Sequence, residues 1–171
     1  MSSSTPEPWL RGPLPHVAAV LAPTLRALEQ TREDLALHTA GLSTSQLWAR
    51  PHGLAPLGFH LRHIAASVDR LTSYLRGEPL DDVQMKALAA EMEPGATLSE
   101  LLADVERAFS RAEKVIRAID PAALGEARWV GRQRLPVTVI GLVVHIAEHT
   151  QRHLGQAISA AKLARVFGGW R

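Results

Sequence analysis

Four long segments of the chain carry apolar residues at steps of three and four, and this spacing places those residues on one face of an α-helix. The segments cover residues 16–40, 56–76, 97–119 and 136–165. Because an α-helix rises 1.5 Å per residue, each segment would form a helix roughly 30–45 Å long. Each apolar face needs a partner, and packing the four helices together covers all of them. We therefore predict an all-α fold with the architecture of a four-helix bundle.

Two of the connections between the predicted helices are long, at residues 77–96 and 120–136. Connections of this length indicate at least one crossover rather than plain helical hairpins. We expect a short helix near residues 82–92 in the first connection and an extended stretch around Trp129 in the second. Pro136 suits the first turn of the last helix, because that turn leaves the missing N–H of a proline unpaired in any case.

The chain of 171 residues is predicted to form one domain. Residues 1–15 contain four prolines and are expected to be an irregular lead-in, and residues 16–171 are expected to form the single bundle domain. The last residues, 167–171, are expected to be irregular. A domain of about 150 residues buries roughly 70% of its unfolded surface, so a core of useful size is expected.

Composition excludes several classes of protein. The chain has no cysteine, which excludes disulfides, thiolate metal ligands and a cysteine nucleophile. The net charge is +2 and the basic residues alternate with acidic ones, so no nucleic-acid partner is expected. The longest apolar stretch, residues 137–144, is far below the roughly 20 residues of a membrane span, and the first residues lack the pattern of a signal peptide. We expect a soluble cytoplasmic protein without a membrane partner.

Three of the eight histidines lie in one short stretch of the last predicted helix, HIAEHTQRHLGQ. His145, His149 and His153 stand four residues apart, so they lie along one stripe of the helix. Two imidazoles one turn apart can direct ring nitrogens at one ion about 2.0–2.1 Å away. Two overlapping pairs at this spacing are much rarer by chance than one. The pattern therefore predicts a metal site with two ligands on this helix.

A third ligand would have to come from another helix, and the second predicted helix offers His60 and His63 within FHLRHIAAS. His60 lies nearer the centre of the apolar stripe, and His63 lies on its flank, about 100° from Ile64. His149 is also on a flank of its own helix. Flank positions on neighbouring helices can meet in a groove, so periodicity leaves the choice between His60 and His63 open.

The chain resembles the DinB-like superfamily of four-helix proteins, which includes thiol-dependent transferases and many metalloenzymes without an assigned reaction. The resemblance is carried by the residues LSTSQL that begin at Leu42, by FHLRHIAASVDRL and by TVIGLVVHIAEHTQRHLGQAI. It implies that His63, which precedes Ile64 and Ala65, binds the metal together with His149 and His153. It also implies an up-down-down-up order of helices and a homodimer.

Four further residues are candidates for contacts to the site or to a substrate. His60 is expected to be a packed neighbour or to hydrogen-bond a metal ligand, and His145 would touch the site by a hydrogen bond or as a fourth ligand. Gln156 shares the stripe of His149 and would orient a ligand or substrate, or serve as a plain interior amide. Arg152 would meet an anionic substrate, or be a solvated surface arginine. The stretch does not read H-E-x-x-H, so no glutamate base of the zincin type is predicted.

Three neutral imidazoles leave coordination positions open, which is typical of a catalytic metal site rather than a structural one. Nitrogen ligands alone suit zinc or nickel, with ferrous iron as a third candidate. Because the chain has no cysteine, a thiol nucleophile would arrive as a low-molecular-weight cosubstrate. We predict a metal-dependent enzyme acting on a small molecule, either a thiol-dependent transferase or a hydrolase. The alternative is a non-catalytic metal-binding or stress-response bundle in which the ion is structural.

Overall fold

The computed structural model describes residues 5–167, and in this range the protein is mostly helical with one small sheet. The helices are α1 (Ala22–Thr39), α2 (Thr44–Trp48), α3 (Leu57–Leu75), α4 (Asp82–Ala89), α5 (Leu98–Arg117) and α6 (Val139–Phe167), and the strands are β1 (Ala127–Val130) and β2 (Leu135–Thr138). The predicted helical class is thus confirmed apart from the two strands. The expected irregular tail is helical at Phe167, and residues 168–171 lie outside the described residues.

Three helices begin with a capping box, in which a polar side chain and the residue three positions later satisfy each other's backbone N–H. The pairs are Ser43 with Gln46 at α2, Asp81 with Gln84 at α4, and Thr97 with Glu100 at α5. The predicted short helix in the first long connection is confirmed as α4. The predicted bounds of α3 and α5 agree with the structure to within two residues.

The first long helix begins later than the apolar pattern predicts, at Ala22 instead of residue 16. His16 has a positive φ of 57°, and the following residues form turns. Pro23 stands in the first turn of α1, where a missing N–H does no harm. A helix that ran through Pro23 from residue 16 would lose one backbone hydrogen bond, and the proline ring would clash with a carbonyl of the preceding turn. This explains the later start.

The expectation that Pro136 begins the last helix is wrong, because Pro136 lies in β2 opposite Trp129 of β1. The two antiparallel strands form a hairpin whose turn contains Gly131 at φ 70° and Arg134 at φ 50°. A two-stranded sheet has only edge strands, which tolerate the missing N–H of proline. The helix starts three residues later, where the Thr138 hydroxyl accepts a hydrogen bond from the N–H of Gly141 at 3.1 Å.

The four long helices share one hydrophobic core, with α3 packed against α5 and α6, and α1 packed against α6 and α5. Its largest fully buried side chains include Leu28, Leu61, Phe109, Ile116 and Ile146. Among residues 5–167, no helix has both the length and the apolar character needed to cross a membrane.

Contacts between α1 and α6 follow the same order along both helices. Near the start of α1 the Thr24 hydroxyl donates to the carbonyl of Val143 at 3.1 Å, and near its end the carbonyl of His38 accepts a hydrogen bond from Arg165 at 2.7 Å. Between α3 and α6 the order is reversed, because His63 lies beside His149 whereas the earlier residue His60 lies beside the later residue His153.

Candidate metal centre

Packing of α3 against α6 brings four of the five candidate histidines together. His63 lies between His149 and His153, with ring centroids 5.1 Å and 4.2 Å away, and the rings of His149 and His153 are 4.7 Å apart. One nitrogen from each of these three rings lies within 4.8 Å of the other two. His60 is packed beside His153, and His145 lies one turn before His149 on α6.

The distance between the facing nitrogens of His63 and His149 fits two ligands of one metal ion. Nε2 of His63 and Nε2 of His149 are 2.9 Å apart. Two nitrogens that bind the same ion at 2.0–2.1 Å lie at most about 4 Å apart, so this pair meets the requirement. An N–H···N hydrogen bond between the two rings would give the same separation.

His149 has a buried ring nitrogen that finds no partner within residues 5–167. Its Nδ1 is inaccessible to solvent and makes no hydrogen bond there. Buried polar atoms in proteins are nearly always paired, because leaving one unpaired costs about 1–3 kcal/mol. Nδ1 of His149 therefore has hydrogen-bonding capacity that the described protein groups do not fill, and it is a different atom from Nε2, which faces His63.

The surroundings of His149 and His153 keep their imidazoles neutral, which is the form that binds metals. Burial, followed by repulsion from His63, lowers the pKa of His153 to about 4. Burial is also the main reason why the pKa of His149 lies below its usual value, with repulsion from His63 and His145 adding to it. Both rings thus offer lone pairs at neutral pH without first losing a proton.

Glu91 is a residue of the site that the sequence pattern did not reveal. It follows α4, is only 5% exposed, and its Oε2 lies 2.7 Å from Nδ1 of His63. Its second oxygen, Oε1, accepts a hydrogen bond from Arg70 at 2.8 Å. Histidines that bind metals commonly donate their other ring N–H to a carboxylate, which fixes the tautomer and the orientation of the ring. Glu91 occupies this position behind His63.

The charge on Glu91 follows from its two partners. Burial acts to raise the pKa of Glu91, but the hydrogen bonds from His63 and Arg70 outweigh it, and the pKa lies below its usual value. A carboxylate can only accept, so Nδ1 of His63 carries the proton. In the neutral ring Nε2 then has a free lone pair, and this is the atom that faces His149. The tautomer is assigned from these contacts.

The turn that carries Glu91 is held against α3 by Arg62. Its guanidinium donates to the carbonyl of Ala90 at 2.7 Å and to the carbonyl of Glu93, and it lies 4.9 Å from the centre of the Trp48 ring. No periodicity links this turn to α3, which is why the pattern of the sequence gave no signal for Glu91. The only available clue was general, namely that a metal-binding histidine needs a hydrogen-bond partner.

The remaining candidate residues surround this cluster. Nδ1 of His60 lies 3.5 Å from Nδ1 of His153, and burial followed by repulsion from His63 lowers the pKa of His60 to about 4. Nδ1 of His145 instead pairs with Glu148 at 2.9 Å, and its side chain is 46% exposed. His145 is not among the three residues whose nitrogens converge.

Arg152 and Gln156 lie on a pocket beside the histidine cluster, which we call the α6 pocket. It has a volume of about 470 Å³ between α6 and the segment that joins α2 to α3. Glu148 also forms an ion pair with Arg152. Its lining includes His60, Arg152, Gln156, Ser159, Leu54 and Leu163.

Two comparisons with known proteins bear on this site. No protein with curated annotation matches the chain in sequence. The sequence profile of the DinB superfamily, by contrast, matches residues 27–157, a range that contains His63, Glu91, His149 and His153. Since the match covers more than half of the 171 residues, the chain belongs to the DinB superfamily.

Proposed function

We propose that the protein is a metal-dependent enzyme whose divalent ion is bound by His63, His149 and His153. The observation that carries this proposal is the convergence of one nitrogen from each of these side chains within 4.8 Å. Three imidazole ligands suit zinc, nickel and iron, and we expect zinc or nickel ahead of iron because ferrous iron generally binds such ligands more weakly than nickel does. Membership of the DinB superfamily is compatible with this function.

A divalent ion with three imidazole ligands keeps open positions, where it would activate a thiol or a water molecule. Two features of the site favour metal binding. Glu91 holds His63 in one tautomer, and the low pKa of His153 keeps its ring neutral. Because the chain lacks cysteine, a thiol must come from a low-molecular-weight cosubstrate. We infer a thiol-dependent transferase, with hydrolysis as the alternative reaction of the same site when water replaces the thiol.

We further propose a four-helix bundle of up-down-down-up order for α1, α3, α5 and α6. The matching order of the α1–α6 contacts and the reversed order of the α3–α6 histidine pairs support it. Asp69 of α3 pairs with Arg111 of α5 at 2.7 Å, and Arg62 of α3 shares a pocket with Asp104 of α5, which supports a common direction for these two helices. A homodimer and a cytoplasmic location stay predictions.

The decisive experiment is metal content per chain, measured by plasma mass spectrometry on untagged protein. We expect nearly one zinc, nickel or iron per chain in the unaltered protein, and almost none in His149→Ala/His153→Ala. His145→Ala is the matched control from the same helix, and it should keep its metal because His145 is paired with Glu148. An unaltered protein that carries no divalent ion, and takes none up after reconstitution, would contradict the proposal.

A structural ion is the competing function, and the position of the cluster between α3 and α6 favours it. Cobalt(II) substitution distinguishes the two roles. At a catalytic site, addition of 2-mercaptoethanol should change the visible absorption of the cobalt-loaded protein, because the thiolate would enter an open position. At a closed structural site the spectrum should not change, and removal of the ion should instead lower the melting temperature strongly.

A further inference from the structure

The α6 pocket is large enough for a small organic molecule and lies next to the histidine cluster. Its volume of about 470 Å³ falls within the roughly 300–1,000 Å³ that is usual for small-molecule sites. His60 forms part of its wall and lies 3.5 Å from His153. A molecule in this pocket would therefore be separated from one proposed metal ligand by a single side chain.

The polar and apolar groups of the α6 pocket are arranged unevenly along α6. Arg152, which adjoins His153, is at the end near the cluster, Gln156 follows one turn later, and Leu163 lies at the far end. At 1.5 Å per residue, Arg152 and Leu163 are about 16 Å apart along the helix axis. Leu54 adds apolar surface from the segment before α3. The wall thus suits a molecule with a polar end and an apolar body.

The charged side chains that line the α6 pocket indicate whether the polar end of a bound molecule is anionic or cationic. Apart from the titratable His60, Arg152 is the one charged side chain among the described residues that line the pocket, and none of them is a carboxylate. Arg152 already pairs with Glu148, but a guanidinium has five N–H donors and can serve a second acceptor. Guanidinium groups bind carboxylates with good geometry, so an anionic end is favoured over a cationic one.

Gly155 is the α6 residue between Arg152 and Ser159 that lines the pocket without a side chain. It lines the pocket within α6, and a Cβ added at this position would meet no atom within 4 Å. Glycine inside a helix costs roughly 0.5–1 kcal/mol relative to alanine. A methyl group would also fit here, but a bulky side chain at this position would occupy space beside Arg152 and Gln156.

We propose that the α6 pocket binds a small amphiphilic carboxylate, with the carboxylate at Arg152 beside His60 and the apolar body along α6 towards Leu163. The inference names the substrate class of the metal-dependent enzyme proposed above, and in that sense it rests on that function. The binding site itself is built by residues that bind no metal, so it can be tested separately from the metal centre.

The test compares hexanoate with hexanamide, which share a chain but differ in charge. Binding is measured by isothermal titration calorimetry on the full chain, in metal-free and in zinc-loaded form. We expect hexanoate to bind both forms, and to bind the metal-free form about tenfold more tightly than hexanamide, since a hydrogen-bonded charge adds on the order of one tenfold step. Equal binding of the two ligands, or no binding of hexanoate at millimolar concentration, would overturn the proposal.

Variants locate the bound ligand. Gly155→Leu should abolish hexanoate binding by filling the pocket, whereas Gly125→Leu, at a glycine that also has open space but lies outside the pocket, should leave it unchanged. Arg152→Gln should weaken hexanoate about tenfold and leave hexanamide unaffected. Hexanoate binding to Gly155→Leu at the affinity of the unaltered chain would refute the assignment.

Metal content of the same samples separates the two proposals. If hexanoate binds as predicted but the chain takes up no zinc, the pocket stands and the enzymatic function fails. If zinc binds to His63, His149 and His153 but the metal-free chain does not discriminate hexanoate from hexanamide, the metal centre stands and the substrate class is wrong.

Discussion

Replacing Glu91 with glutamine should reverse the tautomer of His63. Glu91 accepts one hydrogen bond on each oxygen, from His63 at 2.7 Å and from Arg70 at 2.8 Å. A glutamine of the same shape has one oxygen and one NH2 group. The oxygen should face Arg70, because hydrogen bonds to charged groups contribute roughly 1.5–3 kcal/mol and neutral ones roughly 0.5–1.5. The NH2 group then faces Nδ1 of His63, which must become an acceptor, and the proton moves to Nε2.

The expected effect on metal binding follows from this change. Nε2 of His63 faces His149 at 2.9 Å and needs a free lone pair to bind an ion there. To bind metal, the Glu91→Gln variant must return the proton of His63 to Nδ1, where it would face the NH2 group of the glutamine, so that two donors oppose each other. Loss of such a partner typically lowers metal affinity 10–100-fold, which corresponds to about 1.4–2.7 kcal/mol. We expect a loss in this range for zinc.

Two measurements test the reasoning, and Glu93→Gln is the matched control because Glu93 is exposed and only two residues away. Zinc affinity is obtained by competition with a chromophoric chelator, and the ¹⁵N shifts of the His63 ring report its tautomer in the metal-free protein. We expect the control to match the unaltered chain in both. If Glu91→Gln kept its zinc affinity within threefold, or if its Nε2 stayed unprotonated, the role assigned to Glu91 would be refuted.

Further predictions concern stability, measured by urea unfolding of the metal-free chain. Gly155→Ala should raise the free energy of unfolding by roughly 0.5–1 kcal/mol, since the new Cβ meets open space; a decrease would contradict this. Gly58→Ala should lower it by roughly 1–3 kcal/mol, because the Cβ would lie 2.7 Å from the Trp48 ring; unchanged stability and Trp48 fluorescence would refute that contact. The free energy of unfolding should also fall as the pH is lowered from about 6.5 to about 4. The pKa values of His60 and His153 are about 4 in the folded chain and about 6.5 in the unfolded chain, so the unfolded chain binds protons first. Equal stability at pH 7 and pH 4.5 would exclude this linkage.

The sequence predicts those parts of the fold that depend on residues close together in the chain, such as an apolar stripe or a helix cap. The bounds of α3 and α5 follow from an apolar stripe and clear end signals, and Thr97 with Glu100 marks the start of α5. The spacing of His149 and His153 likewise places two imidazoles on one stripe of α6. His63 is different, because periodicity did not separate it from His60, and only the resemblance to the DinB-like superfamily did so.

Errors occur where a distant partner overrides a local preference. Pro136 is a good first residue for a helix, yet pairing with Trp129 keeps it in a strand, and this pairing is not visible in the residues around Pro136. The predicted start of α1 fails for a local reason instead, because apolar spacing alone does not register the interruption at Pro23. In both cases the hydrophobic pattern is present, but backbone hydrogen bonding decides the structure.

Two separate features position the side chains of the proposed metal centre, namely the packing of the long helices and the turn that carries Glu91. The helix packing that brings His63 to His149 involves the common core, so disrupting it should unfold the protein. The orientation of His63 depends instead on Glu91, which belongs to a turn outside the long helices and is held by Arg70 and by the hydrogen bonds of Arg62. None of the residues 90–93 in this turn belongs to the buried apolar core. Metal affinity and global stability should therefore be separable in this protein, and evolution could adjust the metal centre through the residues around Glu91 without altering the bundle.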